Sequence, residues 1–251
     1  PLSVKVRVLA QIVIAFFMVW ITDIKFGLPD YSFGLNHLIN LEVFSYIITV
    51  LGIVFITNAF NLMDGSDGVT GSLTIIAILG INIVQIISTD YNFNVLSMAL
   101  MGALIPYLCF NLVKSSRKKV FLGDGGSLFL GYSISFLLLQ ESQVNNSFSS
   151  TFALWLIAIP VVDAIFVMFI RLKKSRSLFS PDRSHLHHFL KELGFSSIKV
   201  LIIIIILGIL LLLLGFLFEN KARVFSFPIF LLTTLAYIYL RGSQIFLKLK
   251  L

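Results

Sequence analysis

Long apolar segments alternate along the chain with short polar connections. A helix that crosses the hydrocarbon core of a bilayer needs roughly 20 apolar residues, and most segments fit that length. Strands in lipid would instead have to close into a barrel and would show short alternating patterns. The pattern therefore predicts an all-α, polytopic transmembrane helical bundle of about eight helices, forming one domain over residues 1–251. The apolar segments are residues 8–21, 41–60, 69–88, 95–113, 127–139, 152–170, 200–218 and 224–240.

Composition and charge support a membrane location and exclude some other classes. The chain is 58% hydrophobic and 12% charged, whereas soluble domains average about 25% charged residues. If the N-terminus is cytoplasmic, one set of alternate loops holds all the Lys and Arg residues except Lys25, Lys221 and Arg223. Because cytoplasmic loops are enriched in Lys and Arg, the net charge of +7 marks that face and predicts no nucleic-acid partner. A single cysteine, Cys109, excludes a disulfide framework.

The first polar connection, "NAFNLMDGSDGVTGS", covers residues 58–72. Asn58, Asn61 and Asp64 recur at every third residue, so on a helix they cover one broad face at its cytoplasmic end. Gly65 can end that helix and Asp67 can cap the next one. A plain polar turn would need one capping residue, and four such residues are present. Polar side chains at membrane depth are costly and usually functional, which favours a site.

The second connection, "KSSRKKVFLGDGGSLFLGY", covers residues 114–132. Asp124 stands between glycines just before a new apolar segment, where backbone N–H groups and the positive end of a helix suit a phosphate. We expect Asp124 to hold the metal ion of that phosphate. Phe121 fits two interpretations equally well, an aromatic at the membrane interface or a ring that stacks on a base.

The third connection, "RLKKSRSLFSPDRSHLHHFLKELGF", covers residues 171–195 and carries a histidine cluster. Histidines with an arginine suit a doubly charged phosphate. A zinc site is the rival interpretation, but H-x-H-H offers neither a cysteine nor a helical i, i+4 pair. Asp163, which precedes this connection, either helps the site or bonds a neighbouring helix. The cluster comprises Asp182, Arg183, His185, His187 and His188.

Together the three connections predict one phosphate-handling site on the cytoplasmic face. Oxygen ligands with few fixed contacts favour Mg²⁺ bridged by substrate phosphates. At the edge of the bilayer, one substrate can come from water and the other from lipid.

A transporter or flippase is the main alternative, but it would need polar residues along a path through the bilayer, and Asp163 is the only strong candidate for such a path.

These three elements resemble the motifs of the polyprenyl-phosphate N-acetylhexosamine-1-phosphate transferases. The matching forms are N-x-x-N-x-x-D-G-x-D-G, F-x-G-D-x-G-S and a histidine loop, in this order over roughly residues 1–190. The last two apolar segments match only in being hydrophobic. The resemblance implies transfer of a sugar 1-phosphate from a UDP-sugar to undecaprenyl phosphate with release of UMP. "PDRSHLHH" resembles the branch that uses UDP-N-acetylglucosamine to begin a cell-envelope polysaccharide.

The resemblance also implies a role for each motif residue. Asn61 and Asp124 would bind Mg²⁺, for which Mn²⁺ could substitute, while Asp64 and Asp67 would serve the phosphate chemistry. The enzyme would lie in the bacterial cytoplasmic membrane with its site on the cytoplasmic face, and a homodimer is compatible with this placement. The expected substrate-binding residues are Asn58, Phe121, Arg183, His185, His187 and His188.

The chain departs from the family pattern at its start. Family members carry an adjacent pair of aspartates shortly before the segment that resembles "PLSVKVRVLAQ", and this chain contains no Asp-Asp pair. Members also have about eleven membrane-spanning helices, each of roughly 20 residues, whereas about eight are predicted here. We therefore expect the domain to lack its N-terminal helices in this sequence.

Overall fold

The computed structural model describes residues 3–27, 42–87, 94–113, 116–177 and 184–248. Within these ranges the chain is all-helical, which confirms the predicted fold class. A 3₁₀ turn at Ser116–Lys118 and a π turn at Gln140–Val144 interrupt the α-helices. The helices are α1 Val4–Thr22, α2 Glu42–Met63, α3 Val69–Ile87, α4 Val95–Asn111, α5 Gly123–Leu139, α6 Ser150–Leu156, α7 Ala158–Lys173, α8 Leu186–Glu192, α9 Ser197–Lys221 and α10 Arg223–Lys248.

Five of the described helices are long and apolar enough to cross a membrane, and α6 with α7 forms a sixth if the pair counts as one span. The protein is therefore a multi-pass membrane protein. Helix α3 is the most enclosed of these spans, because 67% of its most apolar 18-residue stretch is buried. The corresponding share is 17% in α1 and 17% in α10. Large apolar side chains such as Trp20, Leu213 and Leu232 are exposed on the outer helices, where a bilayer would cover them.

The apolar segment 152–170 forms two helices rather than the single one that the sequence predicts. Helices α6 and α7 meet at an 84° bend, and Ile157 between them has non-helical angles of φ −119° and ψ 27°. Pro160 lies in the first turn of α7, where its missing N–H is tolerated. Trp155 fixes α6 by donating to Ser226 Oγ at 3.1 Å. Apolar composition continues across the bend, so hydrophobicity alone does not reveal it.

Helices α2 and α5 pack at the centre of the bundle and approach very closely at Gly131. A Cβ atom on Gly131 would lie 2.7 Å from the Cα of Thr57 and 2.9 Å from its carbonyl oxygen. The neighbouring core side chains Phe60 and Ile134 are buried. This close approach brings the last turn of α2 beside the first turn of α5, where the polar motifs lie.

The polar connections meet at one end of the bundle. Asn111, at the end of α4, accepts a hydrogen bond from the N–H of Gly68 at 2.6 Å. Its amide donates to the carbonyl oxygen of Val120 at 2.7 Å. The loop before α3 is thereby tied to the loop before α5. The short helix α8, which the sequence did not predict as a separate element, packs at the same end, because a Cβ on Gly65 would lie 2.3 Å from His187 Nε2.

Candidate functional site

The two residues expected to bind metal lie together at the end of α2 and the start of α5. Asn61 Nδ2 donates to Asp124 Oδ1 at 3.2 Å and to Ser127 Oγ at 2.8 Å. Arg7 of α1 donates to Asp124 Oδ2 at 2.5 Å and forms an ion pair with it. The structure thus adds Arg7 to the residues around Asp124, a contribution from α1 that the sequence analysis missed.

Asn58 connects α1 to α2 one turn deeper in the bundle. Its Nδ2 donates to Gln11 Oε1 at 2.6 Å and to the carbonyl oxygen of Val54 at 2.7 Å. Gln11 lies four residues after Arg7, so the two polar side chains share one face of α1. Both positions could have been recognised in the sequence, because they are polar residues four apart in an otherwise apolar helix.

Asp64 and Asp67 occupy different environments. The pKa of Asp64 is raised to about 6, chiefly because the carboxyl group is half-buried. The nearby hydroxyl of Thr70 opposes this shift, and the negative charges of Asp124 and Asp67 add to it. Asp67 is paired with Lys119. The carboxylates of this end are therefore close enough to disfavour one another's ionised forms, a situation that a bound cation would relieve.

The histidine loop folds back onto the bundle at Asp163. His185 Nδ1 lies 2.8 Å from Asp163 Oδ2, and its ring is stacked parallel to that of His187 with centroids 5.8 Å apart. The rings of His187 and His188 are 4.3 Å apart. His187 is 1% exposed, and neither ring nitrogen has a hydrogen-bond partner among the described residues. Burial lowers the pKa of His187 to about 3, with the positive charges of His188 and His185 as further causes, so its imidazole is neutral near pH 7.

One cavity of about 710 Å³ joins the first motif to the histidine loop. Its polar wall combines residues from both, and Arg7, Gln11 and Arg171 also line it. An apolar wall formed by α1 and α2 continues from the polar end, with Val8, Leu51 and Phe55 among its residues. The sequence-predicted residues that line this cavity are Asn58, Asn61, Asp64, His185, His187 and His188.

Three of the remaining predicted residues lie beside this cavity rather than on its wall. Asp124 reaches it through Asn61 and Arg7, which both line it. Asp67 and Phe121 form a second group with Lys119, whose Nζ lies 5.5 Å from the centroid of the Phe121 ring. Phe121 is 69% exposed, and its role in stacking on a base stays a prediction.

Arg183 and Asp182 lie outside the described residues. The role expected for Arg183 therefore also stays a prediction. Asn111, by contrast, is a structural member of this end that the sequence analysis did not single out. It is buried and joins two motif loops through its amide. A lone asparagine at the end of an apolar helix was its only signal.

The oxygen ligands present fit Mg²⁺ better than zinc. Across the described ranges, no group of three or more His, Cys, Asp or Glu residues is arranged to hold a metal ion. Zinc sites need three or four such ligands, whereas Mg²⁺ is commonly bound through one or two carboxylates together with substrate phosphates. The carboxylate of Asp124, with the amide oxygen of Asn61 beside it, offers that smaller set.

A family model described as glycosyl transferase family 4 matches residues 1–142. The chain belongs to glycosyl transferase family 4. Its relatives include proteins named undecaprenyl-phosphate alpha-N-acetylglucosaminyl 1-phosphate transferase. The Yersinia pestis protein is 33% identical over 243 residues, which is 95% of this chain and 66% of that protein. The Salmonella typhi protein is 36% identical over 205 residues, 81% of this chain and 56% of that protein.

A Gram-positive relative matches as well. The Bacillus subtilis protein named probable undecaprenyl-phosphate N-acetylglucosaminyl 1-phosphate transferase is 34% identical over 208 residues, 82% of this chain and 57% of that protein. The chain thus spans less than two thirds of the length of these relatives. The 243-residue match reaches into α9 and α10, and the expectation that these helices match the family only in hydrophobicity stays a prediction. These relatives support a family 4 transferase and give the transporter alternative no support.

Proposed function

We propose that this family 4 protein transfers N-acetylglucosamine 1-phosphate from UDP-N-acetylglucosamine to undecaprenyl phosphate and releases UMP. The observation that carries this proposal is the cavity that the first motif and the histidine loop share. Its polar end suits a nucleotide-sugar pyrophosphate, and its apolar wall suits a polyprenyl chain. The names of the relatives support the lipid acceptor and the transferred sugar.

The reaction requires an oxygen of the lipid phosphate to attack the phosphorus that carries the sugar. The P–O bond to the UMP phosphate breaks, and UMP leaves. Asp64 is suited to take the proton of the attacking phosphate, because its pKa of about 6 is close to the second pKa of a phosphate monoester, about 6. Asp67 would serve the same phosphate chemistry from its place beside Lys119.

Mg²⁺ is the cofactor that we propose, with Mn²⁺ as a substitute. Asn61 and Asp124 would hold it, and Arg7 forms an ion pair with Asp124 in the structure. When bound, the metal ion neutralises charge on the pyrophosphate. The raised pKa of Asp64, to which Asp124 and Asp67 contribute, supports a cation at this position.

The histidines would bind the donor as neutral hydrogen-bonding groups. His187 faces the cavity with a lowered pKa and two ring nitrogens that lack protein partners in the described part of the chain. One nitrogen of a neutral imidazole donates and the other accepts, so His187 can contact a sugar hydroxyl or a phosphate oxygen. Arg183 is proposed to supply positive charge at the same loop, and Phe121 to stack on the uracil.

The proposal places the site on the cytoplasmic face of the bacterial inner membrane, at the first step of a cell-envelope polysaccharide pathway. The loops at the site end carry most of the Lys and Arg residues, as cytoplasmic loops do. A homodimer is compatible with this arrangement.

The deciding experiment measures UMP release by membranes that contain the protein. We expect UMP only when UDP-N-acetylglucosamine, undecaprenyl phosphate and Mg²⁺ are all present, and loss of the signal with a chelator. Replacing the donor by UDP-N-acetylgalactosamine tests the sugar, and omitting the acceptor tests for simple hydrolysis. Uptake of UDP-N-acetylglucosamine into sealed vesicles without any UMP would contradict the proposal and favour a transporter.

A further inference from the structure

Asp163 anchors the histidine loop inside the bundle. Its Oδ2 lies 2.8 Å from His185 Nδ1, while its Oδ1 accepts from the backbone N–H of Leu186 at 2.9 Å. The hydroxyl of Tyr237 donates to the same Oδ1 at 3.0 Å. Asp163 is 1% exposed and His185 is 4% exposed. One buried carboxylate on α7 therefore holds the residue before α8, the first residue of α8 and a side chain of α10.

Helix α10 holds the same loop at a second point. Arg241, one turn after Tyr237 and on the same face, donates from Nη2 to the carbonyl oxygen of Ser184 at 2.7 Å. Its guanidinium carbon lies 3.8 Å from the centroid of the Phe189 ring on α8. Arg241 is 6% exposed. An arginine that is stacked and hydrogen-bonded in this way fixes its partners in orientation as well as in distance.

These anchors fix the chemistry of His185. An ionised Asp163 only accepts hydrogen bonds, so beside it Nδ1 of His185 carries the proton of the shared bond. The ring is then held in one orientation, and the ring of His187 lies parallel to it.

His187 itself has no comparable anchor among the described residues. Both of its ring nitrogens are buried at the cavity without a hydrogen-bond partner there. Buried polar atoms in this state are satisfied by a ligand, an ion or an ordered water. The position of His187 is therefore set by the loop around it, and the loop is set by α7 and α10.

We propose that Asp163, Tyr237 and Arg241 are positioning residues of the transferase, which hold the histidine loop so that His187 faces the donor. This inference rests on the proposed function for its kinetic test. It assigns to the C-terminal helix α10 a part in the reaction, although neither Tyr237 nor Arg241 lies on the wall of the substrate cavity.

Conservative variants test the anchors. Tyr237→Phe removes only a hydroxyl, and we expect kcat with UDP-N-acetylglucosamine to fall roughly 3- to 10-fold, the scale of one hydrogen bond. Asp163→Asn keeps the shape but removes the charge that orients His185, and kcat should fall roughly 10- to 100-fold. Arg241→Lys keeps the charge but loses the stacked, directional contact, so it should also lower kcat.

Two variants serve as matched controls. Tyr239→Phe changes a tyrosine on the same helix that is 75% exposed. Glu219→Gln neutralises another buried carboxylate, which accepts from the N–H and hydroxyl of Ser149 at the opposite end of α9. That end is about 33 Å from the start of α9, at 1.5 Å for each residue. Both controls should keep the wild-type kcat, even if Glu219→Gln lowers the thermal midpoint.

A second measurement reports the loop without relying on turnover. Diethyl pyrocarbonate modifies accessible neutral imidazoles, and the rate at His187 is measured by peptide mass spectrometry on the purified protein. We expect slow modification in the wild type and the controls, and faster modification in Asp163→Asn, Tyr237→Phe and Arg241→Lys. If Asp163→Asn does not fold, Tyr237→Phe and Arg241→Lys carry the test.

The outcomes separate this inference from the proposed function. Absence of UMP formation by the wild type would count against the function, while the modification rates would still test the anchor. Wild-type kcat and slow His187 modification in Tyr237→Phe and Arg241→Lys would overturn the inference. Equal losses of stability and of kcat in Asp163→Asn and Glu219→Gln would also overturn it, because both carboxylates would then act on the fold alone.

Discussion

At the scale of single residues, the end of α2 places an ionisable carboxylate where ionisation is costly. Asp64 is half-buried, and burial raises its pKa from 3.8 to about 6. Between these two values the folded protein keeps a proton that the unfolded chain has released. Stability therefore falls as the pH rises from about 4 to about 6 and then levels off. Ionised Asp64 therefore destabilises the fold, and its proposed role in the phosphate chemistry is the reason for it to be present.

Asp64→Asn should consequently stabilise the protein at high pH and not at low pH. In detergent with a chelator present, we expect the thermal midpoint of the variant to exceed that of the wild type at pH 8 by more than at pH 5. Asp23→Asn is the control of opposite sign. The pKa of Asp23 is lowered, chiefly by a hydrogen bond from Tyr46 and by Lys25, so its ionised form is the favoured one. A midpoint difference for Asp64→Asn that is the same at both pH values would contradict the assignment.

Asp124 and Asn61 should differ in how much they contribute to metal use. Asp124 supplies a carboxylate that Arg7 and Asn61 orient, so Asp124→Asn should lower turnover roughly 10- to 100-fold and raise the Mg²⁺ concentration needed. Asn61→Ala removes one neutral oxygen and the contact with Ser127, and we expect a smaller loss. Mg²⁺ titrations of UMP release on both variants give the measurement, and Asp23→Asn serves as an exposed control. An unchanged Mg²⁺ midpoint in Asp124→Asn would remove Asp124 from the metal site.

At the scale of helices, the distance between α2 and α5 sets the geometry of the site. Gly131 lies against the backbone of Thr57, and any Cβ there would be 2.7 Å from the Thr57 Cα. Backbone atoms cannot move aside as the end of a side chain can. The hydrogen bond between Asn61 and Asp124 lies about one turn from this contact along α2 and about two turns from it along α5.

Gly131→Ala should therefore separate α2 from α5. We expect a destabilisation of about 1–3 kcal/mol from overpacking, seen as a lower thermal midpoint, together with a loss of UMP release. Gly102→Ala in α4 is the matched control, because a Cβ there meets nothing within 4 Å, and alanine favours a helix by about 1 kcal/mol. If both variants shifted the thermal midpoint by the same amount, the close approach at Gly131 would not limit the separation of α2 and α5.

The helices were predictable because each is an apolar run, while the interruptions and side-chain partners were not. Asn58, Asn61 and Asp64 stood out because polar residues at helical spacing are rare in such runs. The 84° bend at Ile157 interrupts a run that is apolar on both sides, so no local pattern shows it. The bond between Asp163 and His185 likewise joins residues on separate elements, so the sequence left the role of Asp163 open between the site and a helix contact. The structure gives it both contacts.

At the scale of the whole molecule, the two ends of the bundle differ in what their polar groups do. At the site end, Asp64 and the histidines face a cavity of about 710 Å³. At the opposite end, several polar groups bond to one another. Glu219 accepts from Ser149 and pairs with Arg223 at 2.7 Å, and the amide of Gln143 bonds Ser150 at 2.8 Å. Polar groups that bond only to one another hold helix ends together, whereas groups directed at a cavity are available to a ligand.

The distribution of Lys and Arg predicts that the site end faces the cytoplasm, and two engineered cysteines can test this. Both are made in a Cys109→Ser background, because Cys109 is exposed. Ser196 precedes α9 at the site end and makes no side-chain capping bond, and Asn145 is exposed at the opposite end. We expect a membrane-impermeant maleimide to label Ser196→Cys only in inside-out vesicles and Asn145→Cys only in right-side-out vesicles. The reverse pattern would place the cavity on the outer face, where UDP-sugars made in the cytoplasm could not reach it.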